Sequence, residues 1–247
     1  MVPLRAREYK CLQKLNRNSN MRLSVLIPVY NEIRTLQAIL DLIMSLDINK
    51  ELIVVDDCST DGSRQLLETK YKGTPGIKVI FHKNNMGKGA AIKSALEEAA
   101  GDYSIIQDAD MEYNPQDYAV LLNKAKEEKA DVVYGSRFLK TWRATSFWHF
   151  AVNKFLTVMT NLCYGSSLTD METCYKMIKT DIFKGLKIES RRFEIEAEIT
   201  ARLLKKGHKI IEAPVSYKGR SYHEGKKIGW KDGLTTLSAL FKYRFAK

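Results

Sequence analysis

No apolar run in this 247-residue chain approaches the ~20 residues that a helix needs to cross a bilayer, and the first twenty residues lack the apolar core of a secretory signal. Cysteine is sparse. Cys11, Cys58, Cys163 and Cys174 stand far apart with no C-x-x-C pair, which excludes a zinc ribbon and a disulfide framework and fits a reducing cytoplasm. His82, His149, His208 and His223 show no ligand spacing and are assigned no role. Acidic residues are outnumbered, 29 against 40 Lys and Arg, for a net charge of +11. The excess sits at the ends: +4 over residues 1–20 and +9 over 202–247, leaving −2 for 21–201. Basic ends suit phosphates, a membrane surface or nucleic acid, or simply form a solvated face. Nucleic acid is disfavoured, because aromatic residues do not interleave with Lys and Arg on any evident strand face, so no such partner is expected.

What is present is a strand–helix alternation. Apolar runs at 23–29 (LSVLIPV), 51–56 (ELIVVD), 77–81, 103–107 and 131–134 read as strands, the continuous ones as strands buried on both faces. Ile33, Leu36, Leu40 and Ile43 recur at helical spacing, and further helices are expected near 63–70, from Gly89 to Ala100, and after Pro115. Five such units predict an α/β fold with an open, mostly parallel sheet and helices on both faces. Residues 21–247 form one domain in this reading, with a nucleotide-binding half at about 21–135 and an acceptor-binding half at about 136–247; residues 1–20 are expected to be a disordered basic extension. In the second half, 146–164 reads as a helix with a broad apolar face, suited to a core or to a membrane interface. Helices at 194–206 and 230–243 and a strand around Pro214 complete the pattern.

Ligands of such sheets bind beyond the carboxyl ends of the strands, and the polar clusters fall there. Asp108-Ala109-Asp110 follows a strand directly, and two carboxylates there suit Mg²⁺ or Mn²⁺, with Glu112 placed to add a third oxygen. Val55-Asp56-Asp57 ends another strand, where a carboxylate accepts from a ribose hydroxyl or a base N–H; an Asx-turn is the alternative for Asp57. Pro28-Val29-Tyr30-Asn31-Glu32 ends the first, offering a flat ring and a carboxylate. Gly87-Lys88-Gly89, before a helix, is placed to offer backbone N–H groups to phosphate, although it lacks the full ATPase P-loop pattern. Arg137, Lys176, Arg220, Lys226 and Lys227 are candidate anion contacts.

Taken in order, P-V-Y-N-E, V-D-D-C-S-T-D-G, N-M-G-K-G, D-A-D-M-E, G-S-R, L-T-D-M-E-T-C-Y-K and R-S-Y-H-E-G-K-K resemble family-2 inverting glycosyltransferases of the GT-A fold, in the dolichyl-phosphate mannose or glucose synthase-like branch. The resemblance spans about residues 21–232. It implies a metal-dependent transfer of a sugar from a GDP- or UDP-sugar to a polyprenyl phosphate. Pro28, Tyr30, Glu32, Val55 and Asp57 would contact the nucleoside, with Lys88 and Ala109 beside the donor. Asp108 and Asp110, with Glu112, would hold the metal and diphosphate. Arg220 and Lys226 would contact the donor diphosphate, and Arg137 and Lys176 the acceptor phosphate. Lys176 stands where the family's S-G-F-R motif has Arg, as part of T-C-Y-K. Asp110, Arg137 and Glu196 would be the catalytic group, Glu196 matching a family acidic position and serving as base if the acceptor is a hydroxyl on a glycan, protein or small molecule. The setting implied is cytoplasmic, peripheral on a membrane surface or against a membrane protein.

Overall fold

The computed structural model describes residues 21–139, 147–192, 194–220 and 230–245. The expected extension at 1–20, together with Lys226, Lys227 and His223, lies outside the described residues. Seven strands form one sheet: β1 (Leu23–Val29), β2 (Lys50–Asp56), β3 (Ile77–Phe81), β4 (Tyr103–Ile106), β5 (Val132–Ser136), β6 (Lys176–Lys179) and β7 (Ile210–Pro214). Their spatial order is β3-β2-β1-β4-β6-β5-β7. All neighbours are parallel except β6, which runs antiparallel to both β4 and β5. The sheet is therefore open and mostly parallel, as its apolar runs predict.

Helices α1 (Ile33–Ser45), α2 (Ser63–Leu66), α3 (Lys88–Glu98), α4 (Tyr118–Glu127), α5 (Phe147–Tyr164), α6 (Thr180–Lys184), α7 (Ile195–Lys205) and α8 (Trp230–Phe245) accompany it. Helix α1 buries Leu36, Ile39, Leu40 and Ile43, the i, i+3, i+4, i+7 face of its sequence. Each such side chain contributes about 1.5–3 kcal/mol of burial free energy. Six of the seven β1 residues are buried, as a two-faced central strand requires. A second, smaller apolar cluster, including Leu156, Met171, Ala197 and Leu240, joins α5, α7 and α8.

Strand β6 and helix α6 were not expected. The K-M-I-K of β6 has two apolar residues in four, and Lys176 is fully buried, with Glu196 2.9 Å from its ammonium and the Met171 and Thr173 carbonyls accepting from it. Being antiparallel, β6 turns its N-terminal end toward the carboxyl ends of its neighbours. The T-D-M-E-T-C segment before it thus joins the same rim as the D-A-D loop.

Candidate active site

A cavity of about 480 Å³ opens along that rim, within the size range of small-ligand pockets. Pro28, Tyr30 and Glu32 line it from the end of β1, and Asp57 from β2. Lys88 lines it from α3, Asp108, Ala109, Asp110 and Glu112 from β4, Arg137 from β5, and Arg220 from beyond β7. Eleven residues marked by the sequence are thereby gathered in one place. Val55, Lys176 and Glu196 are not in its wall. Val55 is fully buried within β2, and the other two lie deeper, behind Lys88.

The β1 side is set by the S-T-D-G-S turn. Ser59, Asp61 and Ser63 accept the backbone N–H groups of Asn31, Ile33 and Glu32, so the start of α1 is capped from across the chain. Thr35 donates to the Ala109 carbonyl at 2.7 Å, tying α1 to the D-A-D loop. Gln107 fixes the loop from below: its amide donates to the Asp108 carbonyl, and its own carbonyl oxygen accepts from Tyr118 and Tyr175.

Asp57 is engaged rather than open. It accepts from the N–H groups of Met86 and Gly87 at 2.8 and 2.7 Å, and His82 Nδ1 lies 2.7 Å from it. His82, assigned no role from sequence, is its buried partner and also meets Ser94. The G-K-G glycines likewise serve close packing instead of a phosphate cradle. Gly87 has φ +94°, and a Cβ there would lie 2.2 Å from the Arg191 carbonyl, which also accepts the Gly89 N–H. What the motif delivers to the site is Lys88, whose ammonium lies 2.8 Å from Asp108 and 3.2 Å from Glu196.

Glu196 bridges two lysines, Lys88 and Lys176, yet neither of its buried oxygens accepts an aligned hydrogen bond among the described residues. Lys176 donates instead to the Met171 and Thr173 carbonyls. An alternating chain Asp108–Lys88–Glu196–Lys176 runs inward from the cavity. This corrects two expectations: Lys176 is spent inside the fold and does not face an acceptor, and Glu196 is shielded from the cavity by Lys88. Burial alone would lower the Lys88 pKa, but Asp108, Cys174 and Glu196 hold it well above its ordinary value.

Arg220 sits among three carboxylates, 3.0 Å from Glu32, 2.9 Å from Asp110 and 3.6 Å from Glu112. Glu112 also accepts from the Tyr217 hydroxyl and the Arg220 backbone N–H, so it clamps the chain leaving β7 and is not free as a third metal ligand. Among the described residues no three acidic, thiol or imidazole groups converge as a metal site; of the expected ligands, Asp108 and Asp110 face the cavity beside Lys88 and Arg220. That pair fits a cation. Burial, then the charges of Asp108 and Glu112, push the Asp110 carboxyl up to about 7 against the pull of Arg220. A divalent ion would relieve this excess negative charge.

Arg137 is held in a bidentate pair with Asp170: its Nε and Nη2 donate to the two carboxylate oxygens at 2.7 Å each, and its backbone N–H adds a third bond at 3.0 Å. It still faces the cavity, with the Tyr217 ring 5.2 Å from its guanidinium carbon. Glu172, which sequence reasoning passed over inside L-T-D-M-E-T-C-Y-K, also lines the cavity, and its Oε1 is buried with no hydrogen bond among the described residues.

The glycosyl transferase family 2 model matches residues 24–186, which contain six of the seven strands and all of the sites above except Glu196 and Arg220 with its Tyr217 neighbour. The chain belongs to glycosyl transferase family 2. This transferase is 26% identical over 218 residues to an undecaprenyl-phosphate mannosyltransferase of Micrococcus luteus, covering 85% of this chain and 88% of that one. It is 27% identical over 219 residues to a dolichol-phosphate mannosyltransferase of Pyrococcus furiosus, covering 85% of this chain but 60% of that longer one. Among solved structures it superposes on the glucosyl-3-phosphoglycerate synthase of M. tuberculosis with a TM-score of 0.70 at 16% identity, covering 95% and 84% of the two chains. That likeness is one of fold, the GT-A glycosyltransferase architecture; the same synthase has been crystallised with Mn²⁺ and UDP and with Mg²⁺ and UDP. The transferase is thus an enzyme of this fold and class.

Proposed function

We propose that the transferase moves a hexosyl group from a nucleoside diphosphate sugar to a polyprenyl phosphate, using Mg²⁺ or Mn²⁺. The observation that carries the reading is the meeting, in one cavity, of the Asp108–Asp110 pair with Arg220 and Arg137. The acceptors in the names of the two mannosyltransferases supply the lipid phosphate. Pro28, Tyr30, Glu32 and Asp57 would flank the nucleoside, and Asp108 and Asp110 would hold the cation. When bound, the cation neutralises charge on the diphosphate leaving group. Lys88 fixes the orientation of Asp108, while Arg220 is positioned to exchange its carboxylate partners for the diphosphate. A phosphate acceptor has its second pKa near ~6 and attacks already ionised, so no strong base is needed. Incubation with UDP- and GDP-sugars and Mg²⁺ should release nucleoside diphosphate only when polyprenyl phosphate is added. Release that responds to a hydroxyl acceptor and ignores the lipid would overturn the acceptor.

A bilayer contact belongs to the same reading. Helix α5 buries Leu156, Thr157 and Thr160 and presents Val152, Phe155, Val158 and Leu162 outward as one stripe, Leu162 being 74% exposed. Asn153 of the same helix lines the cavity. Arg244 of α8 donates to the Cys163 carbonyl beside the stripe, and Phe245 next to it is 78% exposed. No helix of the described residues is long and apolar enough to cross a membrane. An anionic bilayer that takes the stripe at interface depth would meet Arg244 with its head groups. Flotation with vesicles containing anionic lipid should recover the protein at low salt, and Phe155→Asp with Leu162→Asp should cut recovery at least about tenfold by loss of buried apolar area. Equal flotation of both proteins would remove this contact.

A further inference from the structure

Glu172 stands outside every role assigned so far, yet its position in the sheet is specific. It belongs to the lead-in to β6, and β6 lies directly between β4, which carries Asp108 and Asp110, and β5, which carries Arg137. The nucleoside side of the cavity is built from β1 and β2, on the other flank of β4. Glu172 is therefore on the acceptor flank, adjacent to the strand that would hold the leaving group. Its Oε1 is buried and unpartnered among the described residues, a costly state for a carboxylate unless a ligand or a proton completes it.

We propose that Glu172 binds the acceptor phosphate as a carboxylic acid, donating its O–H to a phosphate oxygen, so that acceptor binding is linked to one proton. This rests on the lipid-phosphate reading above and assigns the residue that meets the acceptor. The charges facing Glu172 are nearly balanced: Lys176 of β6 and Arg137 after β5 against Glu196 of α7 and Asp170 of its own loop, with Arg137 already committed to Asp170. Lys154 of α5 is bonded to the Thr169 carbonyl at the start of the same loop. An ionised Glu172 would repel a phosphate dianion here, and of the cations lining the same cavity Lys88, Arg137 and Arg220 are each already paired with a carboxylate, leaving Arg192 to offset it. A protonated one turns that repulsion into a hydrogen bond. Burial is the main cause of its carboxyl being pushed up to about 7, with Glu196 and Asp170 adding to it and Lys176 and Arg137 opposing. An arriving phosphate raises it further.

The step balances. A phosphate oxygen forms the bond to the anomeric carbon, the bond from that carbon to the diphosphate oxygen breaks, and its electron pair leaves with the nucleoside diphosphate. The Glu172 proton is not consumed. The product phosphodiester carries one charge fewer than the acceptor, which weakens its hold on the acid and favours release.

The test is the KM for polyprenyl phosphate between pH 6.5 and 9, for wild type, Glu172→Gln and Glu172→Ala. Wild-type KM should rise towards about tenfold per pH unit above pH 7.5, as a one-proton linkage requires; the acceptor itself is already dianionic there. Glu172→Gln keeps an N–H donor, so its KM should be flat with pH and its kcat within about threefold of wild type. Glu172→Ala should be equally flat, with KM about tenfold higher. Calorimetry of acceptor binding to the wild type at pH 8, in two buffers of different ionisation heat, should show uptake of close to one proton, which needs no variant. A Glu172→Gln kcat lowered a hundredfold at every pH, with nucleoside diphosphate still bound, would make Glu172 a base and overturn the proposal, as would profiles shared by all three proteins. Wild type that turns over no lipid phosphate at any pH would instead sink the acceptor reading itself.

Discussion

Asp110→Asn should lose turnover by about 10³-fold, the scale of removing one preorganised charge-stabilising group, and in the absence of divalent ions it should melt higher than wild type at pH 8. The carboxyl of Asp110 is raised in the folded protein from 3.8 to about 7, by burial first and then by Asp108 and Glu112, against Arg220. Below about pH 4 it is protonated in both folded and unfolded chains and has no effect on stability. As pH rises toward 7 the unfolded chain ionises while the folded one resists, so stability falls, and above 7 the loss is complete. The gap corresponds to at most about 4 kcal/mol, a figure in which the Arg220 contact at 2.9 Å is already counted. The amide removes the charge and keeps an acceptor for Arg220. A gain of about 5 °C at pH 8, vanishing toward pH 4, is expected for a chain of this size. Addition of Mg²⁺ and nucleoside diphosphate should reverse the order, raising the wild type and not the variant. A variant that melts lower at pH 8 without metal would mean that Arg220 already compensates the carboxylate cluster.

Asp170→Ala should cost about 3–5 kcal/mol of stability, because it strips a buried arginine of its partner. Asp170 is fully buried and takes three hydrogen bonds from Arg137, two of them at 2.7 Å. Burial would lower the Arg137 pKa, but Asp170 holds it well above its ordinary value, so the guanidinium cannot escape the penalty by losing its proton. The loop carrying Asp170 is held in turn by Glu212 of β7, which accepts the Thr169 and Asp170 N–H groups. Losing the pair therefore loosens the cavity wall before β6 as well as the core. Chemical denaturation of Asp170→Ala, Arg137→Ala and the double variant separates the two terms: the double should be more stable than the sum of the singles by at least about 1 kcal/mol. Strict additivity would show that the pair contributes no coupling.

The side of the cavity built from β1, β2 and β4 was readable in the sequence because each of its residues follows an apolar run that is itself a strand. P-V-Y-N-E, V-D-D and D-A-D fall at strand ends, and parallel strands bring those ends together with no further information. The side built from β5 and β6 depends on packing between distant segments. Lys176 looked like a phosphate contact, yet it is fixed by Glu196, twenty residues on, and K-M-I-K lacks the apolar content of a strand. His82 and Asp57 are twenty-five residues apart, and neither signals the other. Glu172 lay inside a quoted motif, L-T-D-M-E-T-C-Y-K, with no signal of its own. Its meaning comes from the direction of β6.

That direction bears on how the chain is assembled as it is made. Strands β1 to β4 can pair as soon as they emerge, and so can each βα unit among them. Strand β5 cannot join them, because its place beside β4 is separated by a strand still to be synthesised. Until residues 176–179 arrive, β4 and β5 each present an open edge, the kind of surface that recruits other chains. Four residues, led by a buried lysine, close both edges at once and convert two nascent halves into one sheet.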